Sequence, residues 1–103
     1  MTSIWCEING EELSLEIEGH ATGSPEACAG ISALVESLGT YIMDAGAGHV
    51  HRLYERWIED GSCGFRLRGD QTMAEVWRLV CIGLMQISMA FPEQVSIQWT
   101  GAA

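Results

Sequence analysis

The stretch EGHATGSPEACAGISALVESLG, residues 18–39, holds the transition that decides the fold, from a strand to a helix. Its Ser24-Pro25 pair is typical of a helix start, because the hydroxyl caps amides of the first turn and proline suits the first helical position. The apolar residues that follow recur at helical spacing and predict one buried stripe, made of Ile31, Leu34, Val35, Leu38 and Ile42. DAGAG, residues 44–48, is expected to end this helix.

Two alternating segments before this stretch predict a β-hairpin. Residues 4–8 alternate, and NGEE at 9–12 is a turn signal. Apolar side chains then alternate with polar and acidic ones up to Glu18, which predicts a strand that is buried on one face. The exposed face of that strand carries Glu12, Glu16 and Glu18.

The rest of the chain predicts two strands, a second helix and a last strand. Residues 49–58 and 65–68 are the strands, joined by EDGSCG, and Thr72 is the expected cap of a helix that runs to about Ala90. Phe91-Pro92 ends it, and alternating apolar residues at 95–99 form the last strand. The order β-β-α-β-β-α-β predicts an α/β (α+β) fold, a two-layer domain with a mixed sheet of about five strands and both helices on one face. At 103 residues, the chain is expected to form a single domain, 1–103.

The composition is that of a globular protein that is not expected to bind nucleic acid. The chain is 48% hydrophobic, and 14 acidic residues against five Lys and Arg give a net charge of −9. This charge repels phosphates and attracts basic proteins or peptides. No signal peptide is recognisable and the most apolar segment, residues 79–85, is too short to span a bilayer, so a cytoplasmic location is expected. The four cysteines are then expected as free thiols, and no metal or cofactor is expected because no C-x-x-C pair occurs.

The second predicted helix is more apolar than one buried face requires. Residues 79–92 carry no charge. A helix that covers one face of a sheet needs only one apolar stripe. The excess favours a second burial surface, most simply in a symmetric homodimer, and the alternative is a helix enclosed within the monomer.

His20 and Cys28 form a candidate catalytic pair. An imidazole can take the thiol proton, and the start of a helix favours the thiolate. The amides of Ala27 and Cys28 are candidate oxyanion donors, and Ser32 lies one turn beyond on the same face. The helical spacing by itself favours a second interpretation, because Cys28 precedes Ile31 by one turn and suits a small core residue.

The segment GHATGSPEACAGISAL resembles the signature of the ribosomal-processing cysteine proteases, the Prp family. The matching residues are Gly19, His20, Cys28, Ala29, Ser32, Ala33 and Leu34, and GLMQISMAFPEQVSI, residues 83–97, is a weaker second match. The resemblance implies a small homodimeric cytoplasmic thiol protease with Cys28 as the nucleophile and His20 as the base. Gly19, Gly23 and Ser32 are the expected supporting residues. Members of this family remove the N-terminal extension from a large-subunit ribosomal protein, so the implied partner is a basic precursor protein.

Two departures from the signature leave alternatives open. The loop between His20 and Cys28 is shorter than the family's, and Pro25 stands where that family usually has an acidic residue. A phage or prophage enzyme that processes capsid or scaffold proteins is therefore one alternative. A non-catalytic dimeric binding module with an inert Cys28 is another. If the chain is a protease, the acidic strand face could also steer a basic substrate towards the cleft.

The remaining cysteines, histidines and tryptophans are expected to be structural. Cys6 and Cys81 are predicted as core residues, Cys63 as a turn residue and the tryptophans as core or interface residues. His49 and His51 lie two apart on a predicted strand and so point the same way. Since no third ligand is evident, a solvated strand face is favoured over a metal site.

Overall fold

The structure is a computed structural model that describes residues 1–20 and 24–101. Its elements follow the order β1 (Thr2–Asn9), β2 (Glu12–Gly19), α1 (Pro25–Met43), a 3₁₀ turn (Ala47–His49), β3 (Val50–Glu59), β4 (Ser62–Gly69), α2 (Gln71–Ala90) and β5 (Val95–Gly101). The sheet has five strands, which confirms the predicted α+β fold and the order of its strands and helices.

The sheet is mixed, with the strand order β3-β4-β2-β1-β5. β1 pairs in parallel with β5, while the β1–β2, β2–β4 and β3–β4 pairs are antiparallel. Gly10, at φ 61°, makes the tight turn of the predicted β1–β2 hairpin. The register pairs Ile4 with Ile17 and Cys6 with Leu15. All four side chains are buried, so one face of the sheet forms the floor of the core.

Helix α1 begins as predicted at Ser24, whose hydroxyl accepts a hydrogen bond from the amide of Ala27 at 3.3 Å. It ends at Met43, just before the DAGAG segment. The buried stripe contains four of the predicted residues, while Leu34 is only half-buried. Ala27 occupies the first position of that stripe, one residue before Cys28. The core therefore lies on a slightly rotated face of the helix.

Helix α2 is capped by Asp70, so the prediction of Thr72 as its cap is wrong. The Asp70 carboxylate accepts from the amide of Met73 at 3.1 Å, and the backbone of Asp70 is extended, as a cap requires. Thr72 already lies within the helix. The helix buries a stripe against the sheet, in which the indole N–H of Trp77 donates to the carbonyl oxygen of Ser14 at 3.0 Å.

The two helices cover the same face of the sheet and pack against each other. A Cβ at Gly30 would lie 2.9 Å from Cδ1 of Ile87, and one at Gly83 would lie 2.9 Å from Cδ1 of Leu34. Glycine at these two positions therefore lets each helix receive a branched side chain from the other. The opposite face of the sheet is open, and Trp5 lies there 39% exposed.

The outer side of α2 is unusually apolar. Leu79, Ile82 and Met89 are 69%, 42% and 70% exposed, and they lie along one side of the helix. By length and composition alone, the 20-residue helix could cross a membrane, so the apolar stretch is longer than residues 79–85. Its other side packs into the core through Met73, Trp77 and further buried residues, as a core helix does.

Candidate active site

The backbone of His20 is fixed where strand β2 ends. Gly19 has φ 89°, a conformation that L side chains rarely adopt, and a Cβ there would collide with the carbonyl oxygen of Met1. The Gly19 amide donates to the carbonyl oxygen of Gly61 at 2.8 Å, and the N-terminal ammonium of Met1 donates to the carbonyl oxygen of His20 at 3.0 Å. Gly19 is therefore required for the chain to turn at this strand end.

The imidazole of His20 lies against the turn between β3 and β4. A Cβ at Gly61 would be 3.1 Å from the Nε2 atom of His20, so the ring rests over a residue without a side chain. An oxygen of the Asp60 carboxylate lies 3.6 Å from the same nitrogen. The side chain of His20 is 60% exposed, which leaves it accessible to a second molecule. The sequence identified Asp60 and Gly61 as turn residues but gave no signal that they meet His20.

Cys28 lies in the first turn of α1, and its side chain is exposed. The hypothesis of a buried core cysteine is therefore wrong. The core position at this end of the helix belongs to Ala27, which is fully buried and precedes Ile31 by four residues. Helical spacing alone allows a core residue either three or four positions before Ile31, and the face of α1 that is buried selects the position four before it.

The two amides considered as oxyanion donors are already engaged. The amide of Ala27 donates to the hydroxyl of Ser24, and the amide of Cys28 donates to the carbonyl oxygen of Ser24 at 3.1 Å. Both bonds belong to the capped start of α1, and a substrate would have to break one of them to use either donor. The expectation that Ala27 or Cys28 supplies the oxyanion hole is not supported by this geometry.

His20, Cys28, Gly19 and Ser32 all line one cleft of about 700 Å³. One wall is α1 and the opposite wall is the β3–β4 hairpin, with the end of β2 between them. Among the residues with described coordinates, the Ser32 hydroxyl shows no hydrogen bond, and the side chain is exposed. The fourth supporting residue predicted from the sequence, Gly23, lies outside the described residues.

The floor of the cleft is apolar and its rim is charged. Ile17, Ile31, Val35 and Phe65 are buried residues that contribute to the lining. The exposed carboxylates of Glu36, Asp44 and Glu59 and the guanidinium of Arg56 lie around them. A cleft of this composition suits a ligand whose apolar side chain contacts the floor while neighbouring polar or basic groups contact the rim.

The acidic face of β2 is not part of this cleft. Glu12 and Glu16 line a separate depression on the open face of the sheet, which also contains Trp5 and Trp57. Since successive side chains of a strand point to opposite faces, Leu15 and Ile17 face the helices while these glutamates face away. These glutamates can therefore steer a basic substrate towards the cleft only at a distance, and this steering stays a prediction.

The other three thiols are less accessible than Cys28. Cys6 and Cys81 are buried in the core as predicted, and a hydrogen bond with Cys81 together with burial raises the pKa of Cys6. Cys63 lies in strand β4 and not in a turn, because β4 begins at Ser62. It lines the cleft, and burial, with a smaller effect of the Glu18 charge, raises the pKa of its thiol.

His49 and His51 do not form a pair on one strand face. His49 ends the 3₁₀ turn, where its Nδ1 lies 2.7 Å from a carboxylate oxygen of Asp70. His51 lies in β3, and its Nε2 is 3.5 Å from a carboxylate oxygen of Glu11. Within residues 1–20 and 24–101, no three or more His, Cys, Asp or Glu side chains form a group that could hold a metal ion.

The fold is that of a group of small bacterial proteins that includes a processing protease. The Prp ribosomal processing protease from S. aureus, in complex with a covalently linked product peptide, matches 97% of this chain and 100% of its own at 18% identity and a TM-score of 0.71. The same protease in complex with a substrate peptide matches at 17% identity and a TM-score of 0.69, over 97% of this chain and 100% of its own. A protein from Streptococcus mutans matches at 21% identity and a TM-score of 0.71, over 97% of this chain and 94% of its own.

The comparisons of sequence give no match: no family model fits the chain, and no curated protein is detectably related to it. At 17–21% identity, the solved structures establish the shared fold alone. The resemblance to the Prp proteases that was inferred from the GHATGSPEACAGISAL motif is thus confirmed at the level of the fold.

Proposed function

We propose that this chain is a cysteine peptidase that removes an N-terminal extension from a precursor protein, with Cys28 as the nucleophile and His20 as the base. The observation that carries the proposal is the position of the two side chains. An exposed thiol in the first turn of α1 and an exposed imidazole at the end of β2 border one cleft. This arrangement gives a nucleophile, a base and space for a peptide at the same point of the surface.

The reaction follows from these two groups. His20 takes the proton of the Cys28 thiol, and the thiolate attacks the carbonyl carbon of the scissile peptide bond. The imidazolium then gives its proton to the leaving amine, and the C–N bond breaks to leave a thioester on Cys28. His20 then takes a proton from a water molecule, whose oxygen attacks the thioester carbon. The C–S bond breaks, the imidazolium returns its proton to the Cys28 thiolate, and the product acid loses its remaining proton to solvent. The helix start at Pro25 favours the thiolate, although only partly, because the first amides are engaged with Ser24.

The proposed substrate is a basic precursor, and a large-subunit ribosomal protein is the first candidate. The S. aureus protease of this fold is described as a ribosomal processing protease and has been captured with a substrate peptide. In this chain, the rim of the cleft carries Glu36, Asp44 and Glu59 and a single cation, Arg56, among the described residues. An excess of carboxylates beside an apolar floor favours an apolar residue with basic neighbours on either side.

We also propose that the chain forms a homodimer through the exposed stripe of α2 and that it acts in the cytoplasm. Leu79, Ile82 and Met89 expose large apolar surfaces on one helix face, and a second copy would bury them. All four cysteines are free, as is usual in a reducing compartment. Sedimentation of Leu79→Glu tests the dimer, because a charge buried in this apolar interface should leave a monomer.

The test of the peptidase is cleavage of defined precursors by the full-length chain. A ribosomal-protein precursor and a phage capsid precursor are incubated separately with the wild type, and the fragments are measured by mass spectrometry. We expect one cut that removes an N-terminal segment from the ribosomal precursor and no cut by Cys28→Ala or His20→Ala. Cys63→Ala is the matched control, because Cys63 lines the same cleft but is not placed beside the helix start. Cleavage of the capsid precursor alone would assign the phage role, and cleavage that persists in Cys28→Ala would refute the proposed nucleophile.

A further inference from the structure

The turn between β3 and β4 meets the imidazole of His20 with a carboxylate. Asp60 and Gly61 form this turn, and an oxygen of Asp60 lies 3.6 Å from the Nε2 atom of the ring. We propose that Asp60 is a positioning residue, which orients His20 and stabilises its protonated form during proton transfer from Cys28. This inference rests on the proposed function, because it assigns a role within the same pair of residues.

Two hydrogen bonds hold the turn in place beside the ring. The carbonyl oxygen of Gly61 accepts from the amide of Gly19, the residue before His20, at 2.8 Å. On the other face of the sheet, the hydroxyl of Ser62 donates to the carboxylate of Glu18 at 2.8 Å. The residues that follow Asp60 are therefore joined to those that precede His20, across β4 and β2, and this pairing brings the turn close to the ring.

The absence of a side chain at position 61 brings the ring and the turn together. Gly61 has φ 76°, as the tight turn requires, and a Cβ there would lie 3.1 Å from Nε2 of His20. A Cβ contact at that distance is tighter than ordinary packing permits, and even alanine would push the imidazole outwards. Glycine thus meets two needs, the turn conformation and the approach of His20 to Asp60.

The Asp60 carboxylate approaches the Nε2 atom of the ring and can stabilise this nitrogen when it carries a proton. The separation of 3.6 Å is longer than a hydrogen bond, but the Asp60 side chain is fully exposed and can close on the ring when the ring becomes charged. A carboxylate at this distance favours the imidazolium over the neutral ring, and so favours the thiolate of Cys28. Because both groups are exposed, salt should weaken the effect.

The experiment measures the rate at which iodoacetamide alkylates Cys28 in the full chain, at low and at high salt. Asp60→Asn keeps the shape of the side chain and removes its charge, while Asp60→Glu restores the charge. Glu93→Gln removes one negative charge from an exposed residue after α2 and is the matched control. We expect Asp60→Asn to slow alkylation about twofold to fivefold at low salt, because Coulomb's law in water gives about sevenfold at this separation and the exposure of both groups reduces the effect. The loss should shrink towards none near 1 M salt, and Asp60→Glu should keep at least half of the wild-type rate.

Separate outcomes identify which idea fails. If His20→Ala slows alkylation but Asp60→Asn equals the wild type, the role of Asp60 is refuted and the proposed pair stands. If Asp60→Asn is slow at every salt concentration, or no slower than Glu93→Gln, the electrostatic role is also refuted. If neither His20→Ala nor Asp60→Asn changes the rate, both proposals fail. If alkylation depends on both residues while no precursor is cleaved, Asp60 retains its role and the assignment of these two precursors as substrates fails.

Discussion

The cap of helix α1 links the stability of the fold to the position of the proposed nucleophile, and it can be tested with one substitution. The side chain of Ser24 is 4% exposed, and its oxygen accepts the hydrogen bond of the Ala27 amide at 3.3 Å. In Ser24→Ala, this amide loses its partner in a place that water reaches poorly. Loss of a serine cap typically costs about 1 kcal/mol, and a donor left buried raises the cost.

A loss of this size is easily measured in a protein of 103 residues. For domains of about this length, 1 kcal/mol corresponds to a fall of about 4–8 °C in Tm. The assay is thermal unfolding followed by circular dichroism, together with urea unfolding at 25 °C. Because Cys28 lies in the capped turn, the same variant should also change the rate of Cys28 alkylation under native conditions.

The same helix offers a matched control for this substitution. Ser37 is exposed in the middle of α1, and its hydroxyl donates to the carbonyl oxygen of Ala33 at 2.6 Å. In Ser37→Ala, that oxygen keeps its helical partner, and alanine has the higher helix propensity, so stability should stay the same or rise by about 0.5 kcal/mol. Equal losses in Ser24→Ala and Ser37→Ala would refute the argument, because the effect would then not come from the cap.

Three further predictions concern single contacts. Brief alkylation of the native protein, read by mass spectrometry, should modify Cys28 first, Cys63 more slowly, and Cys6 and Cys81 only when urea unfolds the chain; early modification of Cys6 or Cys81 would contradict the burial described above. Gly19→Ala should lower Tm by more than 8 °C or prevent folding, since its Cβ would meet the Met1 carbonyl oxygen at a positive φ; a Tm near that of the wild type would show that this strand end can rearrange. Hydrogen bonds from His49 and from the Met73 amide hold the pKa of Asp70 below its usual range. The Asp70 carboxylate therefore stabilises the fold above about pH 4, and this stabilisation is lost as the pH falls through the pKa that Asp70 has in the folded protein. Urea midpoints of Asp70→Asn should therefore lie below those of the wild type at pH 7 and approach them below pH 4, and a constant gap would contradict this.

Local signals in the sequence predicted the strands and helices well because each depends on neighbours in the chain. The turn at Gly10, the cap at Ser24 and the end of α2 near Phe91 are decided within a few residues. The cap of α2 was missed because a contact between distant residues favours one of two local candidates. Asp70 and Thr72 are both good capping residues, and the hydrogen bond between Asp70 and His49, which is remote in sequence, favours the first.

The candidate site was only partly predictable, because its geometry depends on contacts between distant segments. The motif located His20 and Cys28, but the side of α1 that carries Cys28 follows from how the helix lies on the sheet. The approach of Asp60 to His20 requires the β2–β4 pairing, which alternation within each strand does not specify. Alternation along β2 separated its apolar and acidic faces correctly, but only the packing of the helices shows that the cleft opens on the apolar side of the sheet.

The cleft exists because the helical layer does not cover the whole sheet. Helix α2 packs over β1, β5 and β4. Helix α1 packs beside α2, with Gly39 against the ring of Phe65. Strand β3, at the edge of the sheet, therefore has no helix above it. Nearly all side chains of β3 are exposed, and Arg56 and Ile58 line the cleft as the wall opposite α1. A third helix would be needed to close this gap, and the chain has none among its described elements. The helices therefore leave strand β3 exposed at the edge of the sheet. The space between β3 and the start of α1 at Cys28 forms a groove with room for an extended peptide.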